Sequence, residues 1–121
     1  MKKITLIDDS EIIGILIRSI FQKAYQVQVI QNAMVSIKEM ERELPDLILL
    51  DIMMPDLDGL ELLKMIKAHP KLFKIPVIMI SAKQDLKTIQ MAQNLGADDY
   101  ITKPFENKKL LEMVNGFLAK N

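Results

Sequence analysis

Short apolar runs rich in β-branched residues alternate along this chain with longer segments of helical period. Ile4-Thr5-Leu6-Ile7 leads into Asp8-Asp9, Gln26 to Ile30 into Gln31-Asn32, and Leu47-Ile48-Leu49-Leu50 into Asp51. Val77 to Ile80 leads into Ser81, and Tyr100-Ile101-Thr102 into Lys103-Pro104. Runs of this length and composition are strands, and a continuous run such as 47–50 suits a central parallel strand covered on both faces. Between them, Ser10 to Lys23 places Ile13, Leu16, Ile17, Ile20 and Phe21 on one helical face, with Asp9 or Ser10 as the N-cap. Asn32 caps a second helix carrying Met34, Ile37, Met40 and Glu41, which Pro45 closes from beyond its end. Three more helices are expected: about 60–68, then 83–95 with Gly96 at the C′ position, and 105–118.

Five strands alternating with five helices through short connections imply βαβ units and a parallel sheet with helices on both faces. There are too few strands for an eight-stranded barrel. The expected fold is α/β: one domain over 1–121, built as a five-stranded doubly wound sheet in three layers. In the common 2-1-3-4-5 order, strands one and three are neighbours.

Composition narrows the function. Sixteen Lys and Arg balance sixteen Asp and Glu, which argues against a basic nucleic-acid binder or a polybasic membrane anchor. There is no Cys and only one His, so thiolate chemistry, disulfides and multi-histidine metal sites are excluded. A metal held by this chain must be bound mainly by oxygen, which favours Mg²⁺, Mn²⁺ or Ca²⁺. The apolar stretch after Lys2-Lys3 stops at Asp8, too short for a signal peptide, and a cytoplasmic location is expected.

Ligands of open α/β sheets bind beyond the carboxyl ends of the strands, where the strand order reverses. There the expected topology gathers Asp8, Asp9 and Asp51, with Ser81 and Lys103 beside them. Three carboxylates in one crevice repel, and a divalent cation with one Lys restores neutrality. A cation with open positions accepts phosphoryl oxygens, and an Asp can attack phosphorus to form an aspartyl phosphate. Asp51, at the end of the most apolar strand, is the candidate nucleophile. A single Asp at such a junction is commonly only a helix cap. Capping explains neither the doubled Asp nor Lys-Pro after the last strand.

These residues resemble the receiver domain of two-component response regulators, and the resemblance covers the whole chain. Asp8-Asp9 resembles the acidic pair, and Asp51 to Gly59 the loop around the phosphorylated aspartate. Ser81-Ala82 resembles the hydroxyl and the small residue after it, and Gly96 to Phe105 the segment carrying a switch aromatic and a lysine. The resemblance implies a flavodoxin-like, CheY-like sandwich and a stand-alone regulator. It implies phosphorylation of Asp51 by a sensor histidine kinase, a phosphotransfer protein or a small phosphodonor. It further implies Mg²⁺, with Mn²⁺ as a substitute, on Asp9, Asp51 and the Met53 carbonyl, and Asp8 acting mainly through metal-bound water. Lys103 would pair with Asp51 and then with the phosphoryl group, and Lys103–Pro104 would be cis. Ser81 and Tyr100 would form the switch: Ser81 drawn to the phosphoryl group, Tyr100 turning from an exposed to a buried rotamer. The strand 4, helix 4, strand 5, helix 5 face would then bind a downstream protein, with no direct contact to nucleic acid or membrane.

Other residues refine the expectation. Met53 and Lys83, each two residues beyond a site residue, border the path of hydrolytic water and affect phosphoryl lifetime in this family. Of the nine methionines, Met34, Met40, Met65, Met79 and Met113 fall at core-periodic positions, and Met91 lies on the output face. His69 reads as a solvated residue at a helix end, and Asp56 and Asp58 as shapers of the turn into Gly59. Three alternatives are a flavodoxin-like cofactor binder, a metal-dependent phosphatase and a receiver cut from a longer regulator. The first needs a phosphate cradle where Asp8-Asp9 stands. The second needs an acid–base Asp where Met53 stands. The chain is therefore expected not to be an enzyme, beyond its own phosphorylation and slow dephosphorylation.

Overall fold

A computed structural model describes residues 1–119. Five parallel strands, β1 (Lys3–Ile7), β2 (Gln26–Ile30), β3 (Leu47–Asp51), β4 (Val77–Ser81) and β5 (Asp99–Thr102), form one sheet in the order β2-β1-β3-β4-β5. The expected α/β doubly wound sheet is thus the observed one. Every residue of β1, β3 and β4 is buried, whereas the edge strands β2 and β5 keep exposed or half-exposed positions. Helices α1 (Glu11–Phe21) and α5 (Asn107–Leu118) cover one face. Helices α2 (Ser36–Arg42), α3 (Gly59–Ala68) and α4 (Leu86–Asn94) cover the other.

Each face has its own core. Ile17, Phe21, Leu110 and Val114 pack with Ile4, Leu6, Leu47, Leu49, Ile78 and Ile80. Met40, Leu62, Leu63, Ile66 and Ala92 pack with Ile7, Ile48, Leu50 and Met79. Alternation along β3 therefore feeds both layers, which fixes the register: a slip of one residue would exchange the two faces. Ile7 sits opposite Leu50, Asp51 opposite Ile80, and Ser81 opposite Thr102, so the carboxyl ends of four strands finish level.

Local chemistry sets the helix starts, and here several expectations change. Ser10, not Asp9, caps α1, accepting from the Ile13 N–H. Asn32 caps a single 3₁₀ turn, Ala33–Val35, and α2 begins only at Ser36. Helix α4 starts at Leu86 rather than Lys83. Asp85, in extended backbone, accepts from both the N–H and the hydroxyl of Thr88 (3.0 and 2.7 Å), which leaves Lys83 and Gln84 in the loop. Helix α5 starts two residues later than the periodicity suggested, because Glu106 also holds extended backbone.

Two methionines expected in the core are not there. Met34 is 65% exposed and Met65 is 49% exposed, while Met40 and Met79 are buried as expected. The 3₁₀ turn rotates Met34 away from the apolar face that an uninterrupted helix would have given it. His69 is not solvated either: it is half-buried, its Nε2 lies 2.8 Å from Glu41 of α2, and its Nδ1 accepts from the Lys71 N–H.

The amino-terminal end of the sheet is tied together by Lys67. Its ammonium donates to Asp98 Oδ2 (3.2 Å) and to the Ile75 carbonyl (3.1 Å). The same Asp98 oxygen accepts from the Val77 N–H at 2.8 Å. Gly96 closes α4 with φ +107°, where an L side chain is strained, and a Cβ there would lie 3.1 Å from the Lys67 stem.

Candidate phosphoryl-acceptor site

Asp8, Asp9 and Asp51 converge beyond the carboxyl ends of β1 and β3, as the sequence predicts. One carboxylate oxygen from each lies within 4.8 Å of the others. Asp8 and Asp51 are buried and Asp9 is exposed, so the cluster opens to solvent on the Asp9 side. Asp8 is held by the Ser10 N–H, which donates to Oδ1 at 2.9 Å. Asp51 Oδ1 accepts from the Met53 N–H at 3.3 Å, which bends the loop back over the carboxylate.

Lys103 follows β5 and reaches the same point. Its ammonium lies 2.9 Å from Asp8 Oδ2 and 3.5 Å from Asp51 Oδ2. The Lys103–Pro104 bond is cis, as the resemblance implied, and the Lys103 N–H donates to the Ser81 carbonyl at 2.8 Å. Burial, reinforced by the neighbouring charge of Asp8, pushes the Asp51 carboxyl up from 3.8 to about 6, against the pull of Lys103. One ammonium among three carboxylates leaves the cluster short of positive charge. An all-oxygen donor set with that deficit fits a hard divalent cation. The phosphate cradle that a flavodoxin-like cofactor binder needs is not formed: carboxylates stand there, and the Ser10 hydroxyl is spent on the helix cap.

Gly59 makes this geometry possible. A Cβ at this position would stand 2.1 Å from the Asp51 carbonyl oxygen and 2.6 Å from the Ile52 Cα. The Gly59 N–H donates to the Ile52 carbonyl at 2.8 Å, so the start of α3 is sewn onto the end of β3. Asp58 caps the same helix by accepting from the Leu60 N–H, which agrees with its expected turn-shaping role.

On the other side, the buried Ser81 hydroxyl accepts from the Lys83 N–H at 3.1 Å. Tyr100 donates its hydroxyl to the Lys83 carbonyl at 2.8 Å, and its half-buried ring packs on the α3–α4 core. One peptide segment therefore links Ser81 to Tyr100. Of the two positions expected for the ring, the structure shows the inward one. Partial burial raises the Tyr100 hydroxyl above its ordinary 10.0.

Sequence reasoning missed the cleft beside the site. It has a volume of about 450 Å³ and is lined by Met53, Met54 and Leu60, with Asp58, Lys83 and Thr88 as its polar members. It missed the close approach of Gly59, whose only signal is a glycine after a capping Asp. The Asp85 cap was readable from Asp85 and Thr88 at capping distance.

Comparison with known proteins follows the same lines. The alkaline phosphatase synthesis transcriptional regulatory protein PhoP of Bacillus subtilis (strain 168) is 36% identical over 121 residues, covering 99% of this chain and 50% of PhoP. The regulatory protein VanRc of Enterococcus gallinarum is 38% identical, covering 98% of this chain and 51% of VanRc. The chain thus spans about half the length of the curated relatives it matches. The crystal structure of a two-component response regulator from Clostridium difficile superposes with a TM-score of 0.92 at 26% identity, covering 99% of this chain and 98% of that one. The family model for the response regulator receiver domain matches residues 4–115, which include every residue of the acidic cluster, Ser81, Tyr100 and Lys103. With sheet order, site and sequence in agreement, the chain belongs to the response regulator receiver domain family.

Proposed function

We propose that Asp51 is the residue through which this receiver carries out the phosphoacceptor role of its family in two-component signalling. The observation that carries the assignment is a buried Asp51 carboxylate 3.5 Å from Lys103 and clustered with Asp8 and Asp9. An Asp51 oxygen attacks phosphorus. The bond from phosphorus to the donor breaks, and its electron pair leaves with the donor's imidazole or carboxylate. The donor is a phosphohistidine on a sensor kinase or phosphotransfer protein, or a small acyl phosphate, met in the cytoplasm.

Asp9, Asp51 and the Met53 carbonyl would hold Mg²⁺, with Asp8 behind them, and the ion supplies positive charge to the phosphoryl oxygens. Lys103, now nearer Asp8, turns its ammonium to the phosphoryl oxygens once Asp51 is phosphorylated. The Ser81 hydroxyl, which accepts from the Lys83 N–H, keeps its own proton to donate to a phosphoryl oxygen. That new bond tightens the loop at Lys83, whose carbonyl receives Tyr100. The β4-α4-β5-α5 face then changes for a downstream protein. The same switch serves a stand-alone regulator or the receiver half of a longer one, because both read out that face. Met53 screens Asp51 from hydrolytic water, and Lys83 sets a cation at the rim, so both tune phosphoryl lifetime. With Met53 where a hydrolase would carry its acid–base Asp, the phosphoryl chemistry of this receiver is its own phosphorylation and slow dephosphorylation.

The test is incubation with Mg²⁺ and acetyl phosphate, read by intact mass. The wild type gains one phosphoryl group, and Asp51→Asn gains none. EDTA abolishes the gain. Equal labelling of both proteins would overturn the assignment.

A further inference from the structure

The chain has nine methionines and no cysteine, so its sulfur chemistry toward oxidants rests on thioethers alone. Four internal methionines are exposed among the described residues: Met34, Met53, Met65 and Met91. Three of them lie on helices or turns away from the acidic cluster. Met53 lies at it. Its side chain lines the cleft beside the site while its own N–H donates to Asp51 Oδ1. Lys83 lines the same cleft from the opposite loop. A 57% exposed thioether at this place is open to a small oxidant, whereas Met40 and Met79 are sealed in the core.

We propose that Met53 is a peroxide-sensitive modification site whose sulfoxide shortens the life of the phosphoryl group on Asp51. The inference rests on the assignment of Asp51 as phosphoacceptor. In the oxidation, the thioether sulfur attacks one oxygen of hydrogen peroxide. The O–O bond breaks, one oxygen is transferred to sulfur, and the other leaves as water. Sulfur loses two electrons and peroxide gains them, so no further reagent is required. The product is a polar, chiral side chain in place of a flexible apolar one. At Met53 this replaces an apolar screen with a strong acceptor oxygen. That oxygen orders water beside the phosphoryl group and draws the Lys83 ammonium across the cleft. The screen becomes a seat for the attacking water, and peroxide resets the switch.

The experiment treats the protein with hydrogen peroxide until peptide mass mapping shows Met53 sulfoxide with Met40 and Met79 intact. Peroxide is then removed, acetyl phosphate and Mg²⁺ are added and withdrawn, and loss of the phosphoryl group is followed by intact mass. Oxidised wild type should lose it about fivefold faster than untreated protein, the size of one net hydrogen bond. A variant with Met34, Met65 and Met91 all replaced by Leu should respond equally. Met53→Leu, compared with itself before treatment, should not respond. Met53→Gln, which carries a polar oxygen without oxidant, should decay fast from the outset. A methionine sulfoxide reductase should restore the original rate. An unchanged or slower decay at full Met53 oxidation, in protein whose Asp51 labels normally, overturns this inference and leaves the phosphoacceptor assignment standing. Labelling that persists in Asp51→Asn overturns both.

Discussion

Replacing Asp51 with Asn should stabilise the metal-free protein at neutral pH, and the gain should vanish on acidification. The Asp51 carboxyl sits at about 6 in the folded chain against an ordinary 3.8. The folded state therefore holds a proton that the unfolded chain releases over that interval, so the ionised carboxylate costs stability above it. Stability rises as pH falls through about 6, and the cost has gone below 3.8, where both states are protonated. The offset amounts to at most about 3 kcal/mol at about pH 7.5, about half of that at about pH 5, and under about 1 kcal/mol at about pH 4. Asparagine keeps the oxygen that the Met53 N–H reaches and removes the charge that faces Asp8. Lys103 retains its shorter contact to Asp8. Part of the gain is lost with the weaker Lys103 contact, and we expect a net advantage of about 2 kcal/mol near neutrality. The assay is urea unfolding of both proteins in EDTA at these three pH values. Mg²⁺ at about a hundred times its dissociation constant should reverse the order, since it then adds about 2.7 kcal/mol to whichever protein binds it. A variant less stable than wild type at about pH 7.5, or a gap independent of pH, would refute the electrostatic reading of the site.

Two other substitutions probe the frame around it. Gly59→Ala sets a Cβ against backbone that cannot yield. It should cost about 3 kcal/mol in urea unfolding and abolish acetyl phosphate labelling even where the protein remains folded. Lys103→Ala leaves the fully buried Asp8 without its cation and should lower stability by roughly 3 kcal/mol, while Lys103→Arg should recover part of it.

The strands and their order were readable because three of them are buried on both faces and so carry uninterrupted apolar runs. The site was readable for the same reason: polar residues at strand ends stand out against Leu47 to Leu50 or Val77 to Ile80. What remained hidden depends on distance in sequence or on local caps that compete with periodicity. Met34 follows the helical period, yet the Asn32 cap winds the chain into a 3₁₀ turn that faces it outward. His69 gives no sequence sign that Glu41, 28 residues earlier, receives it. The inward position of Tyr100 depends on a carbonyl 17 residues before it, at a loop that periodicity assigned to a helix.

The tie at Lys67 acquires a mechanical meaning once the site at the opposite end is considered. Helix α4 is fastened at its far end, where Gly96 rests against the Lys67 stem and Asp98 is pinned to β4. Its near end hangs from the Ser81–Lys83 loop, held by the Asp85 cap and single hydrogen bonds. A rod clamped at one end and pulled at the other swings; it does not slide. Under the proposed switch, a sub-ångström draw on the Ser81 loop would reach the surface as an angular sweep of α4 about Gly96. Lys67, at the end of the sheet opposite the acidic cluster, would then be the fulcrum that sets how far the sweep carries.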